Sequence, residues 1–498
     1  MRGAWPVETV RAAERSAMAA LPDGALMQRA AAGVAAHCLR LLRPSVYGTP
    51  VVVLAGAGDN GGDALYAGAR LARRGAAVTA VLLAPDRAHA GGLAALRAAG
   101  GRVIGAGADR ADGADGARAA AADRPAGGGG VDALAVVAGA TLVLDGIVGI
   151  GGHGGLRPAA AELARAITGT VVAVDLPSGV DPDTGAVDGE AIRADVTVTF
   201  GGLKTGLLVG AGAEQAGTVR LVDIGLELPE PDLRVLEPAD VAALVPRPGP
   251  RDDKYTRGVV GVAAGSSAYP GAGVLCTGSA VHGGAGMVRY AGTAADHVRS
   301  RWPEAVVTEG RPSEAGRVQA WVVGPGIGTD DAAADLLRDV LSQDVPVLVD
   351  ADGLTLLAKE KDLVRRRSAP TVLTPHDREF ERIAGPVGAD RVGAARRAAA
   401  DLGVTMLLKG NATVVADPDG RAWVNPTGTP WLATAGSGDV LSGLGGALLA
   451  GGLAPGTAAA LAAYLHGRAG AIAAHGAGTT AVGVLDAVPD ALREASGT

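Results

Sequence analysis

The run Thr434-Ala435-Gly436-Ser437-Gly438-Asp439 sets a carboxylate inside a glycine-rich turn that opens into an apolar stretch, residues 440–450. Unpaired N–H groups at a helix start, with the positive end of its dipole, make a seat for phosphate oxygens. Gly436 and Gly438 would let the backbone approach a ligand and take positive φ. A carboxylate is electrostatically awkward beside phosphate, so Asp439 makes sense there as a base for a substrate hydroxyl. The plainer alternative is an aspartate that caps the helix.

A second group of loops lies in the first half. After the apolar run 51–54, Gly56, Gly58 and Gly61 have dinucleotide-binding spacing, and Asp86 lies near the end of the next apolar run. Asp59 and Asp63 would repel a pyrophosphate, and a turn with Asn60 between them suits a cation or a polar substrate better. Two further loops start at Asp145 and at Asp175, the latter reading Asp175-Leu176-Pro177-Ser178. Residues at the carboxyl ends of parallel strands line one crevice. Asn60, Asp145, Asp175 and Ser178 could therefore gather oxygens around a hard monovalent cation, or Asp145 and Asp175 could simply cap turns. In the second half His376 follows Pro375 at a strand end, Lys409 sits where a hairpin turns, and residues 324–328 would let a flat ligand approach the backbone.

These loops need a sheet to hold them. Strand-like runs at 51–54, 78–83, 141–144, 171–174 and 196–200 alternate with helical stretches, which implies βαβ units and a mostly parallel sheet. Residues 1–44 read as amphipathic helices, with Leu26, Met27, Ala30, Val34, His37 and Leu41 on one face. Residues 105–130 are low-complexity Ala/Gly/Asp and read as a mobile loop or a padded helix. A second series follows at 259–263, 320–323, 345–349, 371–373, 405–408 and 413–416, the last two forming a hairpin around Gly410-Asn411. The proline-rich, aperiodic stretch 226–250 between the series reads as a linker, giving domains 1–225 and 251–498.

At 498 residues the chain is long enough for two or three domains. A net charge of −7, with both signs interspersed, speaks against nucleic acid as a partner. Cys38 and Cys276 fit neither a disulfide framework nor a metal site, so a reducing cytoplasm is the expected setting. The first eight residues do not read as a signal peptide. The uncharged windows 258–288 and 440–467 are Ala-rich and broken by Pro270 and Pro455, so no membrane span is expected.

The order LMQRAAAGVA, GDNGGDAL, LDGIVGIGG and VDLPSGVD resembles the NAD(P)H-hydrate epimerase domain. That resemblance implies a Rossmann-like three-layer α/β/α fold. It assigns the substrate nucleotide to Asp59, Asn60, Gly61, Gly62 and Asp63, and to Gly149, Ile150, Gly151, Gly152, His153, Gly154 and Gly155. Asn60, Asp145 and Ser178 would correspond to potassium ligands, with Asp175 on the substrate and the candidate proton carrier. The loop 149–155, GIGGHGG, departs from the usual GTG-type opening. The second half resembles the ribokinase-like, ADP-dependent NAD(P)H-hydrate dehydratase. The matching pieces are GVVGVAAGSSAYPGAG, GGAGMV, GPGIG, DADGL, LTPHDREF, LKGNATVV and AGSGDVLSG. By that likeness Ala272, Gly326 and His376 would hold the hydrated nucleotide. Lys409, Gly410, Asn411, Ala412, Thr413 and Gly438 would hold ADP, accompanied by Mg2+, and Asp439 would act on the substrate hydroxyl. The segment 253–258, DKYTRG, stands where that family begins His-Lys-Gly. The two likenesses together imply repair of NADH-hydrate and NADPH-hydrate by a homo-oligomer. A ribokinase-like vitamin kinase fused to a nucleotide-binding module would share the Asp439 turn but leaves the first 225 residues unexplained.

Overall fold

The computed structural model describes residues 1–106, 132–152 and 154–496. His153 and nearly all of the low-complexity stretch 105–130 therefore lie outside the described residues. The chain divides into two compact units, Trp5–Glu230 and a second made of Met1–Ala4 with Pro231–Thr498.

Among the described residues of the first unit seven parallel strands run in the order Arg102–Gly105, Ala77–Leu82, Pro50–Ala55, Leu142–Gly146, Thr170–Val174, Val196–Phe200 and Thr218–Val222. Alternation along the strands serves two cores. Val51, Val53, Leu142, Leu144, Val172 and Val174 pack with the helices Ala25–Leu41 and Asp59–Ala72. Val52, Leu54, Val143, Val171 and Ala173 pack with Ala133–Ala138 and Pro158–Ala166. Side chains on successive positions point to opposite faces, so a sheet covered on both sides reads as continuous apolar runs. Strand order reverses between Pro50–Ala55 and Leu142–Gly146, where an open α/β sheet forms its binding crevice.

The second unit carries six consecutive parallel pairings, from Val306–Thr308 through Met287–Ala291, Val259–Ala263, Ala320–Val323, Val347–Val349 and Thr371–Leu373 to Thr405–Leu408. The hairpin around Gly410-Asn411 is present, with Leu408 opposite Val414 and Met406 opposite Ala416. Val260, Val262, Val322, Leu348 and Val372 share a core with the helices Pro270–His282, Ser437–Ala450 and Pro455–Ala474. Among the described residues no helix is long and apolar enough to cross a membrane.

Two boundary expectations need correction. Residues 226–250 are more than a linker, since Leu233–Val235 is a strand and Pro238–Leu244 a helix. Leu233 and Val235 are buried around Arg234, an alternation too short to stand out between prolines. Pro238 opens the helix at its first turn, beside a reciprocal Glu237–Asp240 capping box. Residues 1–44 are not all helical either. Val7–Ala20 and Ala25–Leu41 are helices, but Arg2–Trp5 is a strand whose first residues pair antiparallel with Leu233–Val235. Leu26, Ala30, Val34 and His37 are buried as expected, whereas Leu41 is exposed.

Candidate active sites

In the first unit the turn after Pro50–Ala55 runs hard against the turn after Leu142–Gly146. Gly56 N–H donates to the Gly146 carbonyl at 3.0 Å, and a Cβ on Gly56 would lie 1.9 Å from the Ile147 carbonyl oxygen. Only glycine allows that approach. Gly58, at φ +91, then opens the helix Asp59–Ala72, which places Asp59, Asn60, Gly61, Gly62 and Asp63 in its first turns. Asn60 sits against the second loop, with a Cβ at Gly149 falling 3.0 Å from Asn60 Cγ.

Asp145 and Ser178 do meet. The Ser178 hydroxyl donates to Asp145 Oδ1 at 2.6 Å and its N–H to Oδ2 at 2.8 Å, while Ile147 N–H donates to Oδ1 at 3.2 Å. Asp145 is fully buried, and burial pushes its carboxyl up to about 6 against the pull of those hydrogen bonds. Asn60 Nδ2 is buried with no partner among the described residues. An amide oxygen, a hydroxyl and a single carboxylate form an all-oxygen set suited to a hard ion of low charge. No cluster of three His, Cys, Asp or Glu that could hold a metal occurs among the described residues.

Asp175 shares no hydrogen bond with Asp145 or Ser178 among the described residues. Its backbone takes φ +68, rare for a residue with a Cβ, and its Oδ1 accepts from Lys204 Nζ at 2.6 Å, Thr199 Oγ1 at 3.0 Å and Phe200 N–H at 3.3 Å. Glu14 and Asp63 complete an acidic cluster. The Asp63 carboxyl is held well above the usual range by burial and then by Asp175, Asp59 and Glu14, and Glu14 is raised chiefly by burial. Lys204 and Glu14 escaped the sequence reading. Lys204 lies four residues past the strand Val196–Phe200, in the two-residue strand Leu203–Lys204 within GGLKTG, and Glu14 is one of several charges on the helix Val7–Ala20.

In the second unit the glycine turn does start a helix, Ser437–Ala450, but its N-cap is Gly436 at φ +89 and not an aspartate. Asp439, in the first turn, is therefore free of capping duty. Burial, then the nearby Asp350 carboxylate, pushes it up to about 7. Lys409, expected to face a phosphate, has its ammonium 2.7 Å from Asp350 Oδ1 and 3.6 Å from Glu379 Oε2. Ser442 Oγ donates to the other Asp350 oxygen at 2.8 Å. Asp350 follows the strand Val347–Val349 and links Lys409 to the glycine-turn helix, a role that its DADGL run does not signal in the sequence.

His376 caps the helix Asp377–Ala384. Its Nδ1 accepts from Arg378 N–H at 3.1 Å and Glu379 N–H at 3.4 Å, leaving a half-exposed ring. Gly326, at φ +63, packs on Ala272, since a Cβ there would come within 2.7 Å of the Ala272 Cβ. Gly410, Asn411 and Ala412 form the hairpin turn, with Thr413 starting the return strand, and Gly438 lies in the first turn beside Asp350 and Lys409. His466 is buried with Nε2 unpartnered among the described residues, and burial pushes its pKa down to about 4.

Two family models match the chain. NAD(P)H-hydrate dehydratase covers residues 260–489 and YjeF-related protein N-terminus covers residues 23–206. A bifunctional NAD(P)H-hydrate repair enzyme of Mycobacterium tuberculosis (strain CDC 1551 / Oshkosh) is 55% identical over 467 residues, 92% of this chain and 92% of the relative. The enzyme of the same description from Mycobacterium leprae (strain TN) is 53% identical over 481 residues, 95% and 94% of the two chains. A solved ribokinase-like superfamily protein of Enterococcus faecalis V583 is 25% identical with a TM-score of 0.50. That match covers 55% of this chain and 99% of the other.

Proposed function

Because the chain belongs to the family of bifunctional NAD(P)H-hydrate repair enzymes, we infer that its two units perform the two halves of that repair. The unit Trp5–Glu230 epimerises the R and S forms of NADH-hydrate and NADPH-hydrate. The other unit dehydrates the S form at the expense of ADP, giving NAD(P)H, AMP and phosphate. The observation that supports this most is the pairing of both family matches in one chain. A lone vitamin kinase has no use for the first unit.

The damaged cofactor bears a hydroxyl on C6 of its reduced nicotinamide ring, next to the ring nitrogen. The nitrogen lone pair makes that C–O bond labile, so the epimers interconvert when water leaves and returns from either face. In the first unit Asp175 would exchange a proton with that hydroxyl. The helix start at Asp59 to Asp63 and residues 149–155 would hold the nucleotide. Asn60, Asp145 and Ser178 would hold potassium, whose charge offsets that of the acidic cluster.

In the second unit Asp439 would take the hydroxyl proton as the oxygen attacks the terminal phosphoryl group of ADP, with AMP as the leaving group. The N–H groups at residues 436–438 would face the charge that develops there. Ring nitrogen then expels phosphate, a far better leaving group than hydroxide, and the intact cofactor is restored. Lys409, Gly410, Asn411, Ala412, Thr413 and Gly438 would hold ADP with its Mg2+, and Ala272, Gly326 and His376 the hydrated nucleotide. The same reading includes a homo-oligomer in a reducing cytoplasm, where the buried, unpaired Cys38 and Cys276 are at home.

The test is recovery of NADH absorbance from mixed NADH-hydrate epimers. Full recovery with ADP is expected, and recovery of only the S fraction would remove the epimerase. Phosphorylation of a vitamin alcohol with no recovery of NADH would favour a kinase.

A further inference from the structure

Lys204 is fully buried, a costly place for an ammonium unless every proton finds an acceptor. Each does. Nζ lies 2.6 Å from Asp175 Oδ1, 3.0 Å from Thr199 Oγ1 and 3.1 Å from the Phe200 carbonyl. With its three protons engaged, Lys204 has none left to offer a ligand, so it acts as a fixed charge.

All of this order falls on one oxygen of Asp175. Oδ1 accepts from Lys204, from Thr199 Oγ1 and from the Phe200 N–H. Oδ2 accepts from none of the described residues, and it is absent from the buried atoms that lack a partner. The left-handed backbone at Asp175 and its N–H bond to the Val198 carbonyl at 2.8 Å fix the residue at the strand end. One oxygen is tied and the other is left open at the carboxyl edge of the sheet.

We propose that Lys204 is a positioning residue for epimerisation, pinning Oδ1 of Asp175 so that Oδ2 is presented to the hydroxyl of the hydrated ring. The assignment rests on the reading of the first unit as the epimerase, with Asp175 on its substrate. Glu14, Asp59 and Asp63 share the field of this pair, Arg11 bears on Glu14, and Lys204 opposes the mutual repulsion of these carboxyls.

The test uses the full chain, with ADP present, and the R epimer of NADH-hydrate as substrate. The S epimer serves as a control that only the second unit must process. Lys204→Met should lower kcat for the R epimer by about 10–100-fold, the usual cost of losing a group that orients a reacting one, with KM little changed. The double variant with Asp175→Asn should be no slower than Asp175→Asn alone, because Lys204 acts only through that carboxylate. Thr199→Val, a smaller disturbance of the same cluster, should give an intermediate loss and covers the case in which Lys204→Met does not fold. A wild-type kcat in folded Lys204→Met, or in Thr199→Val where the first variant fails to fold, overturns the proposal. So do losses that multiply in the double variant, which mark a merely structural ion pair. A wild-type chain that repairs the S epimer but never the R epimer would instead overturn the underlying reading.

Discussion

Asp175 follows the strand Thr170–Val174 and Asp439 lies in the first turn of the helix Ser437–Ala450, and their surroundings are opposite. Asp175 meets a buried ammonium at 2.6 Å and two further donors on the same oxygen. Asp439 has no hydrogen bond to its carboxylate among the described residues, and its strongest charged neighbour is the carboxylate of Asp350, which drives it toward neutrality. Placing a charge is the business of the first arrangement. Changing one is the business of the second, because a base works best when its pKa lies near the working pH.

The sharpest way to break this contrast is Asp439→Asn. Repair of the S epimer should fall by about 10²–10⁴-fold, the usual contribution of a positioned base, while epimerisation is untouched. Near-normal repair would take Asp439 out of the mechanism. A smaller effect is expected at Asp145, whose carboxylate accepts from Ser178 and from the Ile147 N–H. Asp145→Ala should slow epimerisation by about 10–100-fold and abolish its response to added potassium, leaving the S-epimer reaction intact. If Asp145 only caps a turn, the variant loses thermal stability and keeps the potassium response of the wild type.

The contrast also fixes a pH dependence. Asp439 stands at about 7, and the base must be unprotonated, so S-epimer repair should decline as pH falls through about 7 and level off above it. Asp350 is the leading charged cause of that elevation, while Lys409 opposes it. Asp350→Asn removes the repulsion and frees Lys409 from its closest partner, so the descending limb should move to lower pH. A limb that stays in place in Asp350→Asn would mean that another group sets it.

How much of this was legible beforehand depends on the range of the interaction. Asp439 could be read because glycine, carboxylate and apolar run are adjacent in the chain and one helix start contains them all. The crevice loops could be read because each directly follows an apolar strand, and in a parallel sheet such loops gather at one end. Lys204 could not, since its meaning comes from an aspartate 29 residues away and from burial that no local pattern announces. Lys409 can be read from the hairpin that carries it, but its pairing with Asp350 cannot, because it spans 59 residues. The short strand Arg2–Trp5 was hidden for a related reason: four residues are too few to show a period, and the unit they join begins at Pro231.

That strand supplies the smallest expected effect. Arg2, Gly3 and Ala4 pair with Val235, Arg234 and Leu233, and Ala4 is fully buried. The terminal ammonium lies 2.6 Å from Asp240, and Arg2 lies 3.2 Å from Glu237. Both ion pairs are partly exposed, so they are worth about 1 kcal/mol between them. Net backbone hydrogen bonds at a sheet edge and one buried methyl add roughly 1–2 kcal/mol more. A chain lacking residues 1–4 should therefore melt a few degrees lower in the transition that reports the unit Pro231–Thr498, at about 2–4 °C per kcal/mol for a unit of this size. Asp439 and Asp350 lie on other elements of that unit, so the S-epimer kcat and its descending limb near 7 should not move. An unchanged melting temperature would show the strand to be a passive appendage. A shifted limb would show instead that the edge of the sheet communicates with the base.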